Sequence, residues 1–294
     1  MGGFNHKYPH LLTPLLVLFV TICLWVLQKT TPQISTYVEA ILFIFGLLFL
    51  GIPHGAIDHL LESKNLSSKP NLGFIIKYLS FAAIYLIVWQ IFPNLSLIFF
   101  LLYSAWHFGE GDLNEWLPKN KNTFKSWAWG AIILSIILGS HLNETNAILT
   151  NMKVFSIPIN NEEGKISSIF FIFAGLVWAY FEQKGAMIIS CLMLAVGTQL
   201  PLITSFGLYF IGQHSVNGWS HLKHDLKLND KSLFVKALPF TIKAFVLFIA
   251  IYFVLKSSLL NYSNQQIIAS FFILISCISF PHVIAMHKFY RKQR

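Results

Sequence analysis

The sequence is poor in charged residues, which make up 11% of the chain, whereas 55% of its residues are hydrophobic. Its three cysteines each lie within an apolar run, and no pair has the spacing of zinc ligands. We find no tandem repeat and no low-complexity tract. The basic residues form no patch with interleaved aromatics, so the formal charge of +9 does not indicate nucleic-acid binding. These absences exclude a disulfide-stapled secreted fold, a repeat protein and a nucleic-acid-binding domain.

Apolar runs long enough to cross a bilayer dominate the chain, whose mean hydropathy is +0.62. A membrane-spanning helix needs about 20 predominantly apolar residues, and such runs are rare in soluble cores. The first run, at 11–27, has no small-residue cleavage site behind it and is expected to be a retained helix, not a signal peptide. The sequence predicts an all-α, polytopic transmembrane helix bundle of about ten helices, within a range of seven to ten. The predicted spans are 11–28, 37–59, 72–92, 94–110, 124–140, 166–183, 185–200, 202–222, 237–255 and 265–287.

The connections between these spans contain no soluble domain, so one integral-membrane domain is expected over residues 1–294. Alternating the spans places all but five of the 21 Lys and Arg residues on one side of the bilayer. The positive-inside rule identifies that side as the cytoplasm. We therefore expect a multi-pass protein of the cell (inner) membrane, with both termini and the 61–71 loop in the cytoplasm. The longest polar connection, at 141–165, is expected to face outward and has room for an interfacial segment.

Four histidines lie inside apolar spans at comparable depth. His54, His107, His214 and His282 belong to the second, fourth, eighth and tenth spans, which all run toward the predicted cytoplasmic side. Each lies roughly one to three turns before the end of its helix. We therefore expect the four imidazoles to converge from four helices.

A single histidine in an apolar helix is usually a packing residue held by hydrogen bonds, and this interpretation applies to each of the four taken alone. Four at matched depth favour a shared function, because ionisable groups inside a membrane are costly to bury. Imidazole is a suitable ligand for Fe, Zn or Cu. The set predicts a buried metal site with His54, His107, His214 and His282 as its ligands.

A second tier of ionisable residues lies beyond the four histidines, nearer the same side of the membrane. Residues of this kind orient ligand imidazoles through their second ring nitrogen. For Asp112 and His287 an ordinary solvated helix end accounts for the position equally well. The tier comprises Asp58, His59, Glu110, Asp112, His221 and His287.

Motifs around these residues resemble those of a known family. The stretches PHGAIDH (53–59), WHFGEGD (106–112), QHS (213–215) and PHVI (281–284) resemble the bacteriorhodopsin-related-protein and Blh family of membrane β-carotene 15,15'-dioxygenases. The resemblance runs from about residue 48 to the C-terminus. It implies an enzyme that uses Fe(2+) and O2 to split β-carotene at its central double bond into two molecules of retinal, in the service of a microbial rhodopsin. It also implies that His54, His107 and His214 bind the iron.

One position departs from the family pattern. Family members carry a further proposed ligand one helical turn after the histidine of the HS motif, and this sequence has Gly218 there. His282 is the expected fourth ligand, because its depth matches and its PH motif is family-like. His221, two turns after His214 on the same helical face, is the reserve.

Two other classes of membrane protein are alternatives. A di-iron hydroxylase or desaturase acting on lipid or carotenoid would need dense HxxxH and HxxHH boxes, and the nearest spacings are His54 to His59 and His221 to His224. A metal or ion transporter would tend to have internal repeats and broken helices near the bilayer centre, whereas these polar residues gather toward one face. The family resemblance favours carotenoid cleavage over both.

Overall fold

The computed structural model describes residues 9–62, 72–117, 122–257 and 259–292, and within these ranges every regular element is a helix. The predicted all-α membrane bundle is therefore confirmed. The elements, in chain order, are α1 (Pro9–Thr30), α2 (Pro32–Gly46), the π-helical π1 (Leu47–Gly51), α3 (Ile52–Ala56), α4 (Asp58–Glu62), α5 (Leu72–Ile91), α6 (Pro93–Trp116), α7 (Thr123–Ser140), α8 (Leu142–Asn151), α9 (Asn161–Phe181), α10 (Gly185–Gly197), α11 (Leu202–Gly207), the π-helical π2 (Leu208–Ser215), α12 (Val216–Asp225), α13 (Asp230–Lys256) and α14 (Asn264–Lys292).

Helices coincide with all ten predicted spans, but they differ in apolar character. Seven helical segments in the described part of the chain are long and apolar enough to cross a membrane. The segments that fall short are α6, α10 and the continuous run α11–π2–α12. Helix α10 is only 13 residues long. The other two carry several polar residues of the predicted site, which lower their hydropathy: His107, Glu110 and Asp112 on α6, and His214 and His221 on the run α11–π2–α12.

Several helices extend beyond the predicted spans because polar residues cap their ends. Helix α13 begins at Asp230, seven residues before the predicted start, and the Asn229 side chain accepts a hydrogen bond from the Ser232 backbone N–H at 2.8 Å. Asn160 and Glu163 form a capping box at the start of α9. The predicted outward connection contains α8. Most of the predicted 61–71 loop and both chain ends lie outside the described residues.

Helices α6 and α7 approach each other more closely than any side chain would allow. A Cβ added at Gly109 would lie 1.8 Å from the Ser126 carbonyl oxygen, and one added at Gly130 would lie 1.6 Å from that of Ala105. Glycine therefore allows the two backbones to touch, as small residues do in membrane helix pairs. This contact fixes α6, which carries His107, against α7.

Two of the four histidine-bearing segments include π-helical turns. The π1 turn ends at Gly51, three residues before His54, and π2 includes His214. Pro53 has no N–H to donate to the carbonyl four residues earlier, so the regular α-helical pattern is interrupted there. Such π turns are rare in helices and frequently occur at functional sites.

Candidate metal centre

The four predicted histidines come from four different segments and lie together in the bundle. His54 is on α3, His107 on α6, His214 on π2 and His282 on α14. The ring centroids are 4.7 Å apart for His107 and His214, 4.9 Å for His54 and His282, 5.1 Å for His107 and His282, and 5.6 Å for His54 and His214. All four side chains are buried. The rings thus surround one small interior volume.

Three of these residues present nitrogens at the spacing of ligands to one ion. One ring nitrogen from each of His54, His107 and His214 lies within 4.8 Å of the other two, and the Nε2 atoms of His107 and His214 are 3.1 Å apart. Two nitrogens bound at right angles, each about 2.1 Å from one ion, are separated by roughly 3 Å. The arrangement of His107 and His214 therefore suits a shared cation.

Ring nitrogens of this group lack hydrogen-bond partners, although nearly all buried polar atoms in proteins have one. Among the described residues, none pairs with either nitrogen of His54, with Nδ1 of His107 or with Nδ1 of His214. Unpaired, buried lone pairs are costly. A metal ion would satisfy one nitrogen on each ring, so this donor set fits a metal.

His282 is held by a carboxylate on another helix. Its Nδ1–H donates to both oxygens of Asp58, at 2.9 Å each, and both side chains are buried. This contact fixes the tautomer, so Nε2 carries the lone pair. A carboxylate that orients an imidazole in this way is a recurring partner of metal-binding histidine. The His282 ring lies beside His54 and His107, although it is not part of the group of three.

Two further carboxylates face imidazoles across helices. Glu110 on α6 accepts from Nδ1 of His287, with 3.1 Å to each oxygen, and the His287 ring packs on Trp106 with centroids 4.5 Å apart. Glu115 lies 3.1 Å from Nε2 of His221. His221, the reserve ligand, is thus paired with a carboxylate and is outside the group of three. Glu115 was not predicted from the sequence, because residues five apart on a helix do not share a face and its distance from Glu110 gave no signal.

His59 lies apart from the cluster. Its Nδ1 donates to the Ala56 carbonyl at 3.1 Å, and its ring packs on Phe240 of α13 with centroids 4.8 Å apart. The structure therefore brings Asp58 to the site but turns the next residue toward a different helix.

Asp112 is fully buried, so the solvated helix end considered for it is wrong. Its Oδ2 accepts hydrogen bonds from Trp129 Nε1, the Tyr209 hydroxyl and Gln213 Nε2, each at 3.1 Å, and its Oδ1 accepts one from Asn217 Nδ2 at 3.3 Å. These donors come from α7, π2 and α12. The carboxylate therefore joins the helix of His107 to the segment that carries His214.

The four donors to Asp112 were not predicted from the sequence. Gln213 and Asn217 lie one residue before and three residues after His214, so their proximity to that histidine was visible. Trp129, on another helix, gave no signal. A buried carboxylate indicates that donors must exist, but only the packing of the helices identifies them.

Comparisons with known proteins agree with the resemblance carried by the histidine motifs. The family model described as beta-carotene 15,15'-dioxygenase matches residues 45–290. The beta-carotene 15,15'-dioxygenase of uncultured marine bacterium 66A03 is 25% identical over 267 residues, which cover 83% of this chain and 91% of that protein. No solved structure matches the chain. With a family model that covers most of its length, the chain belongs to the β-carotene 15,15'-dioxygenase family and is a carotenoid-cleaving oxidoreductase.

Proposed function

We propose that the enzyme cleaves β-carotene at its central 15,15' double bond with O2 and forms two molecules of all-trans-retinal. The double bond breaks and each of its two carbons gains one oxygen atom, so that one O2 balances the reaction. The observation that carries the proposal is the group of His54, His107 and His214, whose ring nitrogens lie within 4.8 Å of one another. Family membership supports the same substrate class.

The proposed metal is Fe(2+), with His54, His107, His214 and His282 as ligands. Non-haem ferrous centres use imidazole ligands and keep open positions, and when bound the ion supplies the place where O2 is activated. His282 is preferred to His221 as the fourth ligand, because its ring lies 4.9 Å from that of His54 and 5.1 Å from that of His107. Asp58 holds Nδ1 of His282 and leaves Nε2 for the metal.

The protein supplies a dry, oriented site. A hydrocarbon substrate offers no group for an acid, a base or a nucleophile, so activation must fall on oxygen. The three histidines of the group are each at most 4% exposed, which limits access of water. Asp112 and Asp58 fix the segments and rings around the site through hydrogen bonds. We expect residues 1–294 to act as one integral-membrane catalytic domain, with β-carotene reaching the site from the lipid bilayer.

The test of this function is retinal formation by purified protein of known metal content. We expect conversion of β-carotene in air after loading with Fe(2+), and none under argon. Retinal yield should follow iron content across preparations. Cleavage that proceeds equally well after iron has been removed would contradict the proposed cofactor, and absence of retinal from iron-loaded protein in air would contradict the reaction.

The proposed location is the cell (inner) membrane, with both termini cytoplasmic and a functional link to a microbial rhodopsin that uses the retinal. Lysine and arginine asymmetry supports this orientation. Reporter fusions at Lys69 and Asn151 should give opposite signals, with Lys69 in the cytoplasm. Matching signals would overturn the alternation of ten crossings.

A further inference from the structure

Gly218 is in direct contact with the ring of His54. It lies on α12, one helical turn after His214, and a residue at this spacing points to the same side of the helix. A Cβ added at Gly218 would lie 2.1 Å from Cε1, 2.7 Å from Nδ1 and 2.9 Å from Nε2 of His54. Non-bonded atoms do not approach so closely, so either the His54 ring or the α12 backbone would have to move.

The His54 ring has little freedom to give way. Its side chain is 2% exposed, and the rings of His282 and His214 stand edge-on to it, with centroids 4.9 and 5.6 Å away. The backbone of α12 lies against the ring at Gly218. A displaced ring would leave the position in which its nitrogen lies within 4.8 Å of those of His107 and His214.

We propose that Gly218 is a positioning residue of this chain: its bare Cα leaves room for the His54 ring in its metal-binding position, so that here positions 54 and 218 share one ligand place. The contact itself is independent of any metal, whereas its consequence for the metal rests on the proposed function. In this chain α12 comes close enough to hold the ring, and a side chain at 218 would occupy the space of the imidazole. The glycine that stands where family members carry a further proposed ligand thus goes together with this placement of His54.

A double-mutant cycle in metal-free protein tests the contact. Gly218→Ala is expected to lower the unfolding temperature when residue 54 is histidine, and to have little effect when His54→Ala has removed the ring. Residues in contact show this non-additivity, whereas an ordinary helix-propensity effect would be equal in both backgrounds. Equal effects in both backgrounds would overturn the proposed contact. A Gly218→Ala chain that fails to fold, but is rescued by His54→Ala, would support it.

Metal binding tests the positioning role. In protein loaded with Fe(2+), Gly218→Ala should lower iron content to the level of His54→Ala, a loss of about tenfold or more. Gly55→Ala is the matched control, because its Cβ would lie 3.7 Å from the His282 ring, an ordinary contact. That variant should keep its iron. Full iron content in Gly218→Ala would overturn the positioning role, whereas wild-type protein unable to hold iron would instead contradict the proposed function.

A ligand exchange provides the most specific readout. With His54→Ala, the space next to position 218 is open, and Gly218→His would bring an imidazole into it from the other helix. We expect this double variant to bind more Co(2+) than His54→Ala alone, with an absorption spectrum of nitrogen ligation. A purely structural glycine would not produce this rescue, so Co(2+) binding no higher than that of His54→Ala would overturn the shared ligand place.

Discussion

The surroundings of His141 and of His54 are two regions that bury a histidine to a similar degree, with exposures of 6% and 2%. His141 follows α7, and its Nδ1 and Nε2 lie 2.6 Å from the carbonyl oxygens of Ile137 and Leu200. Neither nitrogen of His54 has a hydrogen-bond partner among the described residues. The two side chains are thus similarly buried, but both ring nitrogens of His141 contact backbone carbonyls, whereas those of His54 have no such partner.

This difference separates a structural histidine from a candidate ligand. The ring at 141 ties the end of α7 to the chain before α11, so no nitrogen is left for a metal. The contacts of Gly109 and Gly130 place His107 level with Ala128 on α7, from which His141 is roughly 20 Å distant along the helix. The bundle therefore contains one histidine whose ring nitrogens are hydrogen-bonded and, farther along, a cluster in which several ring nitrogens have no hydrogen-bond partner among the described residues.

The largest expected effect comes from removing His54, whose ring nitrogens have no hydrogen-bond partner among the described residues. His54→Ala should reduce iron content and retinal formation to background while the protein remains in the membrane, because a ligand nitrogen is lost and no hydrogen bond is broken. Elemental analysis and a retinal assay on the same membrane preparation would measure both. If this variant kept its iron, the unpaired ring nitrogens of His54 would not mark it as a metal ligand, and its contrast with His141 would not bear on function.

The fourth ligand is decided by comparing two histidines that are both paired with carboxylates. His282→Ala should lose iron and all cleavage. His221→Ala should keep bound iron and lose activity by about 10- to 100-fold, as is typical when a supporting residue of a metal site is removed. Iron content and retinal formation, measured side by side, distinguish the two. An iron-free His221 variant together with an active His282 variant would reverse the assignment.

Replacement of Asp112 tests whether the hydrogen-bonded network around it supports the cluster of His54, His107 and His214. Asp112→Asn places an amide N–H2 among four donors, so we expect iron affinity to fall by about 10- to 100-fold and the free energy of unfolding to fall by about 1–3 kcal/mol. Metal titration and thermal unfolding would measure these losses. Asp225→Asn, at the end of α12, is the control and should change neither quantity. Unchanged iron affinity in Asp112→Asn would show that the hydrogen bonds of Asp112 do not support metal binding.

The smallest effect on activity is expected at His141. His141→Ala should leave iron content and retinal formation at the wild-type level, since both ring nitrogens of His141 lie against backbone carbonyls and away from the metal site. The free energy of unfolding should nevertheless fall by about 1–3 kcal/mol, because the single N–H of the neutral ring is lost and a buried carbonyl is left without its donor. Loss of iron from this variant would show that the two regions are coupled.

The positions of the helices and the gathering of four histidines were predictable, because both depend on local properties. Hydropathy marks a span within its own 20 residues, and depth along a helix follows from counting residues to its end. His54, His107, His214 and His282 could therefore be placed at one level without knowledge of how the helices pack. Their roles as metal ligands stay predictions.

Features that depend on packing could not be predicted. Ile57, with φ −99° and ψ 6°, leaves the helical conformation between α3 and α4, and this turn directs Asp58 to His282 while His59 faces α13. A regular helix was assumed across that stretch, so both residues were assigned to one tier. The π turns also shift the helical register. Pro53 indicates an interruption after the first of them, but neither π turn was predicted.

The backbone contact at Gly109 and Gly130 has a consequence for motion. Helices α6 and α7 touch without intervening side chains, so they form one stiff unit in which His107 is fixed. Helix α14 instead meets α6 partly through a side chain, with the Tyr103 hydroxyl donating to the Ser276 carbonyl at 2.6 Å, and side chains can change rotamer. If the bundle opens to admit a long, flat molecule, α14 is the helix expected to swing, and His282 would travel with it while the opposite wall of the site stays in place.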